Sequence, residues 1–471
     1  MNRTRNLCLG LLTVLTLVRA AVWIGVHPVF QIADEPAHFD NIQFRAEHYG
    51  PPRYDGTGRR IPKVMHEGAA PEVKKLWFAL IPKHYFSRPH DNDPLEDELS
   101  ALARTTAGRD TDGQAPAIDY PGLYYNLMVP VYRLYETSSV VSRIMAIRCF
   151  SALFGLIAVL ATYLAARRVI TDELLCFVAA AFVALQPMES QMTGAVNNDA
   201  GVIGFAALLF YFQLRALAEL PRFPSVATLA GLILSAACLV LTKPTGYGML
   251  PGVGVVTLAV LVVHWRDRRV QLVCAIGVGL ALAILVNGRL NLAAMLPGDT
   301  ENVGQYGHSD FDSFLQSLDA QYLDYLLRSS WGQFGWLDYS IHMNWLPRLR
   351  LVFGLMQVGT VVAFATHALR PLGRRFWLRG SLLGFSIGTV ASGVAFILYV
   401  EHRFRLTGIM GVIQGRNFLF VLPAFAIWLV AAVGALVPRR MRGITAALLF
   451  IGAVAFNVAS LTTVVHHHYV R

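Results

Sequence analysis

Stretches of about 20 predominantly apolar residues recur at 7–29, 143–166, 173–188, 195–214, 225–242, 246–264, 270–290, 349–369, 380–400, 415–436 and 443–463. Each has the length a helix needs to cross the roughly 30 Å of hydrocarbon in a bilayer. Lipid offers no partner to a backbone amide or carbonyl, so runs of this length fold as helices that pair their own backbone. Composition agrees, because 55% of the 471 residues are hydrophobic and only 15% are charged, far from soluble usage. The expectation is an all-α polytopic membrane protein with about 11 spans.

A net charge of +10 would suit a nucleic acid, but the arginines are distributed otherwise. Arg3 and Arg5, Arg167 and Arg168, Arg215 and Arg222, Arg266, Arg268 and Arg269, Arg374, Arg375 and Arg379, and Arg439, Arg440 and Arg442 fall in alternate short connections. That is the pattern of cytoplasmic loops, and no nucleic-acid partner is expected. The N-terminus is then inside and the C-terminus outside. The first span is too long for a signal-peptide core, and "VHPVFQ" is a poor cleavage site, so it reads as a retained anchor. Cys8, Cys149, Cys176, Cys238 and Cys274 lie in or beside spans, which argues against a disulfide framework or a cysteine metal site.

Five parts follow: an anchor at 1–29, an outer loop at 30–142, a membrane core at 143–290, a second outer loop at 291–348, and C-terminal spans at 349–471. Only the two outer loops are long enough to build a site, since the cytoplasmic connections are short turns. In the first loop "PAHFDNIQFRAEHYG" reads as a helix started by Asp34 and Pro36 and stopped by Gly50, Pro51 and Pro52. It suits the membrane surface. "IDYPGLYYNLMVPVYRLY" returns aromatics to the interface, the depth at which Tyr and Trp collect. No internal repeat of the kind that marks many secondary transporters is visible.

With that topology the unusual polar residues fall on the outer side: Asp34, Glu35 and His38 after the first span, Glu189 and then Asn197, Asn198 and Asp199 before the fourth, and Lys243 in "LTKPTGYG". Trp331, Trp336 and Asp338, then His402, Arg403, Arg405, Gln414 and Arg416, complete the set. Ionisable groups at membrane depth are costly unless paired or wetted, which makes them functional candidates. Carboxylates and cations on one side suit an anionic ligand and a proton transfer. Lys243 is the only lysine beyond residue 83 and sits at a break made by Pro244 and Gly246. It reads either as a lysine snorkelling to the interface or as a point charge for a phosphate.

Asn197, Asn198 and Asp199 read either as helix caps or as a binding group. Asp34 reads either as a cap or as an acid of the site, whereas capping accounts for neither Glu35 nor His38. The arginines at 403, 405 and 416 stand on an outer turn against the positive-inside bias, which asks for an anionic partner. "DND" at 91–93 and "DTD" at 110–112 read as solvated loop acids, and the terminal "HHHYVR" takes no role. Phosphate-binding glycine loops of the Walker or dinucleotide type are absent, so ATP-driven and nicotinamide chemistry lack support.

An Asp-Glu pair directly after the first span resembles the GT-C superfamily of integral membrane glycosyltransferases, which includes protein O-mannosyltransferases and aminoarabinose transferases. "DEPAHF" is similar to the D-E-x-H-F stretch of the former, with one extra residue. "YPGLYYNL" followed by "RCFSALFGLIAVLATYLAARR" looks like the superfamily's interfacial P-x-x-Y-Y segment and R-x-x-S-A-L span. "DEPAHF", "AVNNDA", "LTKPTG", "WGQFGW" and "IQGRNFL", in this order, resemble an uncharacterised bacterial membrane family placed in that superfamily.

The resemblance implies inverting transfer of a sugar from a polyprenyl-phosphate donor to a glycan, lipid or protein acceptor, at the outer face of a bacterial cytoplasmic membrane. It implies Asp34 as the catalytic acid of the first loop, Glu35 as its neighbour, and Asp199 or Glu189 as the second-loop acid. Charge and side add Lys243, Arg403, Arg405 and Arg416 for the donor phosphate. Asn197, Asn198, Trp331, Trp336, Asp338 and Gln414 are assigned to substrate, with the tryptophans stacking on a sugar.

Inverting chemistry asks for one carboxylate that takes the acceptor's proton, with Asp34 the first choice. It also asks for cations that stabilise the departing phosphate. Glu35 or His38 would orient that carboxylate or the acceptor. No cofactor is required; a divalent metal on Asp34, Glu35, His38 and Asp199 stays open. The competing readings are a transporter or flippase for lipid-linked saccharides and a polysaccharide polymerase or ligase.

Overall fold

The computed structural model describes residues 2–48, 117, 120–138, 140–220, 222–267, 320–335, 339–341, 345–369, 374–406 and 413–470. Nearly all of them are helical. The helices are α1 (Asn2–Val26), α2 (Glu35–His48), α3 (Leu123–Leu134), α4 (Val140–Val169), α5 (Glu173–Leu185), α6 (Pro187–Thr193) and α7 (Asn198–Glu219). They continue with α8 (Val226–Val240), α9 (Leu250–His264), α10 (Ala320–Trp331), α11 (Trp345–Leu369), α12 (Arg374–Leu406), α13 (Leu422–Ala435) and α14 (Arg442–Tyr469). A two-residue hairpin pairs Gln333 with Ser340 and Phe334 with Tyr339.

Among the described residues eight helical segments are long and apolar enough to cross a membrane, Arg3–Val26, Val141–Val169, Asn198–Glu219, Pro244–His264, Pro347–Thr366, Leu378–Phe404, Gly415–Ala435 and Arg439–Tyr469. A ninth is made by α5 and α6, bent by 60° where Pro187 opens the second piece. Val226–Val240 is a shorter apolar helix, and the expected span at 270–290 lies outside the described residues. Most of the first outer loop and part of the second lie outside them too.

The centre of the bundle is lined with small side chains. Ala158, Ala165 and Ala166 of α4, Ala179 to Ala181 and Ala184 of α5, Ala206 and Ala207 of α7 and Ala426 of α13 are all fully buried. Small residues let helices approach closely where lipid removes the hydrophobic drive to associate. Leu7, Leu11, Val14 and Val18 of α1 and Ile444, Leu448 and Ile451 of α14 stay exposed, the apolar surface a bilayer covers.

The first and last helices meet at one end of the bundle, where Tyr469 donates to the Val26 carbonyl at 3.0 Å. The candidate site gathers at this same end. The chain leaving α1 turns sharply through Phe30 and Asp34, both in the left-handed region at φ 63° and 64°. It drops α2 onto α3, burying Phe39, Ile42 and Ala46 against Met128 and Tyr132.

Candidate functional site

Glu35, the first residue of α2, is wholly buried and makes a bidentate ion pair with Arg148 of α4, at 2.7 Å from Nε and 2.6 Å from Nη2. Its two oxygens also accept from the amides of Phe30 (2.9 Å) and Val196 (3.1 Å). Arg148 spends its remaining donors on the carbonyl of Ile24, in the last turn of α1, and on those of His27 and Pro28 just beyond it. Glu35 is therefore saturated, and it clamps the first loop to α4 and to the turn before α7.

Asp34 points the other way. Its backbone carbonyl accepts from His38 at 3.1 Å and so opens α2, but its carboxylate caps nothing. Nearly half exposed, at 47%, it pairs with Arg416 of the 3-10 turn Gly415–Val421, whose own side chain is only 8% exposed. Arg416 also reaches the Ala33 carbonyl at 3.4 Å. A Cβ on Gly415 would run into the backbone of Ser329 and Ser330. Glycine there lets the turn press on α10, with the Gly415 amide on Ser329 Oγ at 2.9 Å.

A second acid–cation pair stands beside the first. Asn197 caps α7, its Oδ1 accepting from the Asp199 amide at 2.9 Å. Asp199 Oδ1 lies 2.6 Å from Lys243 Nζ, with side chains 5% and 10% exposed. Asp199 Oδ2 has no hydrogen-bond partner. Lys243 stands at the break between α8 and the 3-10 turn Pro244–Met249, and its ammonium lies 5.4 Å from the centre of the Tyr120 ring.

His38 lies between the pairs. Its Nδ1 is 2.8 Å from Tyr125 Oη, and its ring stacks on Tyr125 at 5.9 Å between centroids. Burial pushes the ring down to about 3, with Asp34 and Asp199 opposing that shift and Lys243 and Arg416 adding to it. Burial raises the Asp34 carboxyl, but Arg416, His38 and Lys243 together outweigh it and leave the group below its ordinary value.

Several expected site residues stand elsewhere. Asn197 serves as the cap just described, and its Nδ2 reaches the Ala33 carbonyl at 3.4 Å. Asn198 is fully buried with neither side-chain polar atom bonded, and Gln414 Oε1 is likewise without a partner. Trp331 does not face the acids. It sits edge-on to Phe182, Phe353, Phe425 and Phe456, with centroids 5.7 to 6.2 Å apart, beside a cavity of about 260 Å³ lined mainly by apolar side chains. Its ring thus packs among side chains of four helices.

Glu189 pairs with Arg19 of α1 at 3.0 Å, both buried, and belongs to a separate polar knot inside the bundle. Arg403 lies near the end of α12 and joins no acid of the site among the described residues. Arg405 belongs to the same helix, but its side chain lies outside the described residues, as do Trp336 and Asp338. Among the described residues no group of three or more His, Cys, Asp or Glu side chains is placed to hold a metal ion.

Sequence reasoning missed Arg148, Tyr124 and Tyr125 as individual residues. Tyr124 bonds Ser151 at 2.8 Å and accepts from the Asn197 amide at 3.1 Å, which ties α3 to α4 and to the cap of α7. Their signal was an arginine and a serine inside an apolar run and an adjacent tyrosine pair.

In a search of curated proteins nothing matches this sequence. Among solved structures the chain is similar to ArnT from Cupriavidus metallidurans bound to undecaprenyl phosphate, at 13% identity and a TM-score of 0.47, covering 97% of this chain and 77% of that one. It is also similar to the Archaeoglobus fulgidus oligosaccharyltransferase in complex with zinc and sulfate, at 11% identity and a TM-score of 0.47, covering 96% of this chain and 53% of that one. The family described as Predicted membrane protein (DUF2142) matches residues 17–425, and the chain belongs to that family of multi-pass membrane proteins.

Proposed function

We propose that the chain is a GT-C-like membrane glycosyltransferase that moves a sugar from a polyprenyl-phosphate donor to an acceptor hydroxyl at the extracytoplasmic face. The observation that carries this reading is the joining of two acid–cation pairs, Asp34–Arg416 and Asp199–Lys243, from four separate parts of the chain around one half-open carboxylate. Asp34 lies in the stretch that resembles the superfamily's first-loop motif, Asp199, Lys243 and Arg416 lie in stretches that resemble the bacterial family, and the arginine pattern supports an outer position for this end.

As the acceptor oxygen attacks the anomeric carbon, Asp34 takes its proton. The bond from that carbon to the phosphate oxygen breaks, and its electron pair leaves with the phosphate. Lys243 and Arg416 meet the charge that gathers there. The leaving phosphate is already ionised, so no second acid has to supply a proton. Asp199 holds Lys243 in place.

The test is to incubate the purified protein in lipid with a panel of polyprenyl-phosphate sugars and follow donor consumption. Turnover with at least one donor, lost in Asp34→Asn with donor binding kept, is the expected result. Binding without turnover across the panel would overturn transfer in favour of transport, and full activity in Asp34→Asn would remove that residue from the chemistry.

A further inference from the structure

One turn beyond Asn41 on α2, Arg45 donates from Nε to Asn41 Oδ1 at 2.8 Å. A guanidinium has only donors, so this bond decides which end of the Asn41 carboxamide is oxygen. The nitrogen faces the other way, donating to the Ala117 carbonyl at 2.7 Å. The Tyr125 hydroxyl has one proton to give. Wholly buried, it gives that proton to the acceptor beside it, His38 Nδ1, 2.8 Å away. Nδ1 is therefore an acceptor, and the single proton of the neutral ring stands on Nε2.

His38 Nε2 makes no hydrogen bond with any described residue and is not sealed from solvent. Around the ring stand Asp34, Lys243, Asp199 and Arg416. We propose that Tyr125 and His38 form a relay that locks the His38 ring as a neutral donor, with Nε2–H binding a hydroxyl oxygen of the sugar or acceptor between the two acid–cation pairs. A neutral donor adds direction without charge, which suits a hydroxyl, whereas the phosphate already meets two cations. A nitrogen that holds its proton is no base, so proton removal stays with Asp34. Tyr125 is a positioning residue that acts through His38. The proposal rests on the transfer reading above and is tested apart from it.

Nitrogen NMR of the full chain in nanodiscs with isotope-labelled histidine reads the tautomer with no substrate present. The His38 signals are identified among the 14 histidines by their loss in His38→Gln. The expected result is a protonated Nε2 and a bare Nδ1 near neutral pH, with both tautomers populated in Tyr125→Phe. A protonated Nδ1 in the unaltered chain, or an unchanged tautomer in Tyr125→Phe, overturns the relay.

Turnover tests the donor. Glutamine places an N–H near the position of His Nε2, and asparagine places one near Nδ1. His38→Gln should lose about tenfold in kcat/KM, as for a neutral hydrogen bond weakened by its new geometry. His38→Asn should lose on the order of a hundredfold, as for a donor removed from the reacting centre. Equal loss in both overturns the donor role. An unaltered chain that turns over no donor tells against transfer, and the tautomer then still decides the relay.

Discussion

Arg416 pairs with Asp34 across 382 residues of chain, and this pair joins the 3-10 turn before α13 to the turn that opens α2. The guanidinium is almost fully buried while the carboxylate is half open. The buried guanidinium thus orients the exposed carboxylate.

Replacing Asp34 with Asn should lower transfer by about a hundred- to ten-thousandfold, the usual contribution of a positioned base. Donor affinity should hold, because Lys243 and Arg416 are untouched. Turnover assays beside binding of a labelled polyprenyl phosphate check this, and a parallel loss of binding would place Asp34 on the donor instead.

Acid should spare the activity longer than an ordinary carboxylate allows. Burial raises the Asp34 carboxyl, yet Arg416, His38 and Lys243 leave it below the usual 3.8. In Arg416→Gln the burial stays and the main opposing charge goes, so the acid limb of the pH–rate profile should move upward. Stability follows the same sign. A carboxyl more acidic in the folded chain stabilises above its unfolded value and loses that stabilisation as pH falls through its folded value.

Glu35→Gln should damage folding. Breaking its bidentate pair leaves Arg148 charged and buried, at a cost of about 3–5 kcal/mol. Thermal unfolding in detergent should show a lower midpoint. Joint replacement of Glu35 and Arg148 by apolar residues should recover part of the loss, whereas an inactive but fully stable Glu35→Gln would return the residue to the chemistry.

Lys243→Gln should raise the KM for donor about ten- to a hundredfold, the worth of a hydrogen bond to a charged group. Lys243→Arg should restore little. A compact ammonium packed against Tyr120 and Asp199 is not matched by a planar fork. An unchanged KM in Lys243→Gln would separate the lysine from the donor.

His38 links stability to pH in a separate window. The unfolded chain takes a proton on this ring below 6.5, and the folded chain holds out to about 3. Stability should therefore fall as pH drops through that interval. In detergent melts the fall should be shallower in His38→Gln, and an identical slope would show that the ring titrates normally.

Much of this was legible in the linear chain. Apolar runs, alternate arginines and the lone distal lysine are local properties, and lipid forces each apolar run to satisfy its own backbone as a helix. Those local patterns set the class of fold, and they put Asp34, Asp199, Lys243 and Arg416 among a longer set of residues too costly to bury idly.

The linear chain did not decide between neighbours. Asp34 and Glu35 are alike in chemistry and adjacent in the chain. A left-handed turn at Asp34 sends one carboxylate to Arg416 in the half-open site and the other into the bundle against Arg148. Trp331 was chosen for its ring, and the rings of four helices claimed it for the core. Glu189 and Asp199 looked interchangeable until Arg19 took one and Lys243 the other. Which charge meets which is set by contacts made between distant parts of the chain, and only tertiary structure brings those parts together.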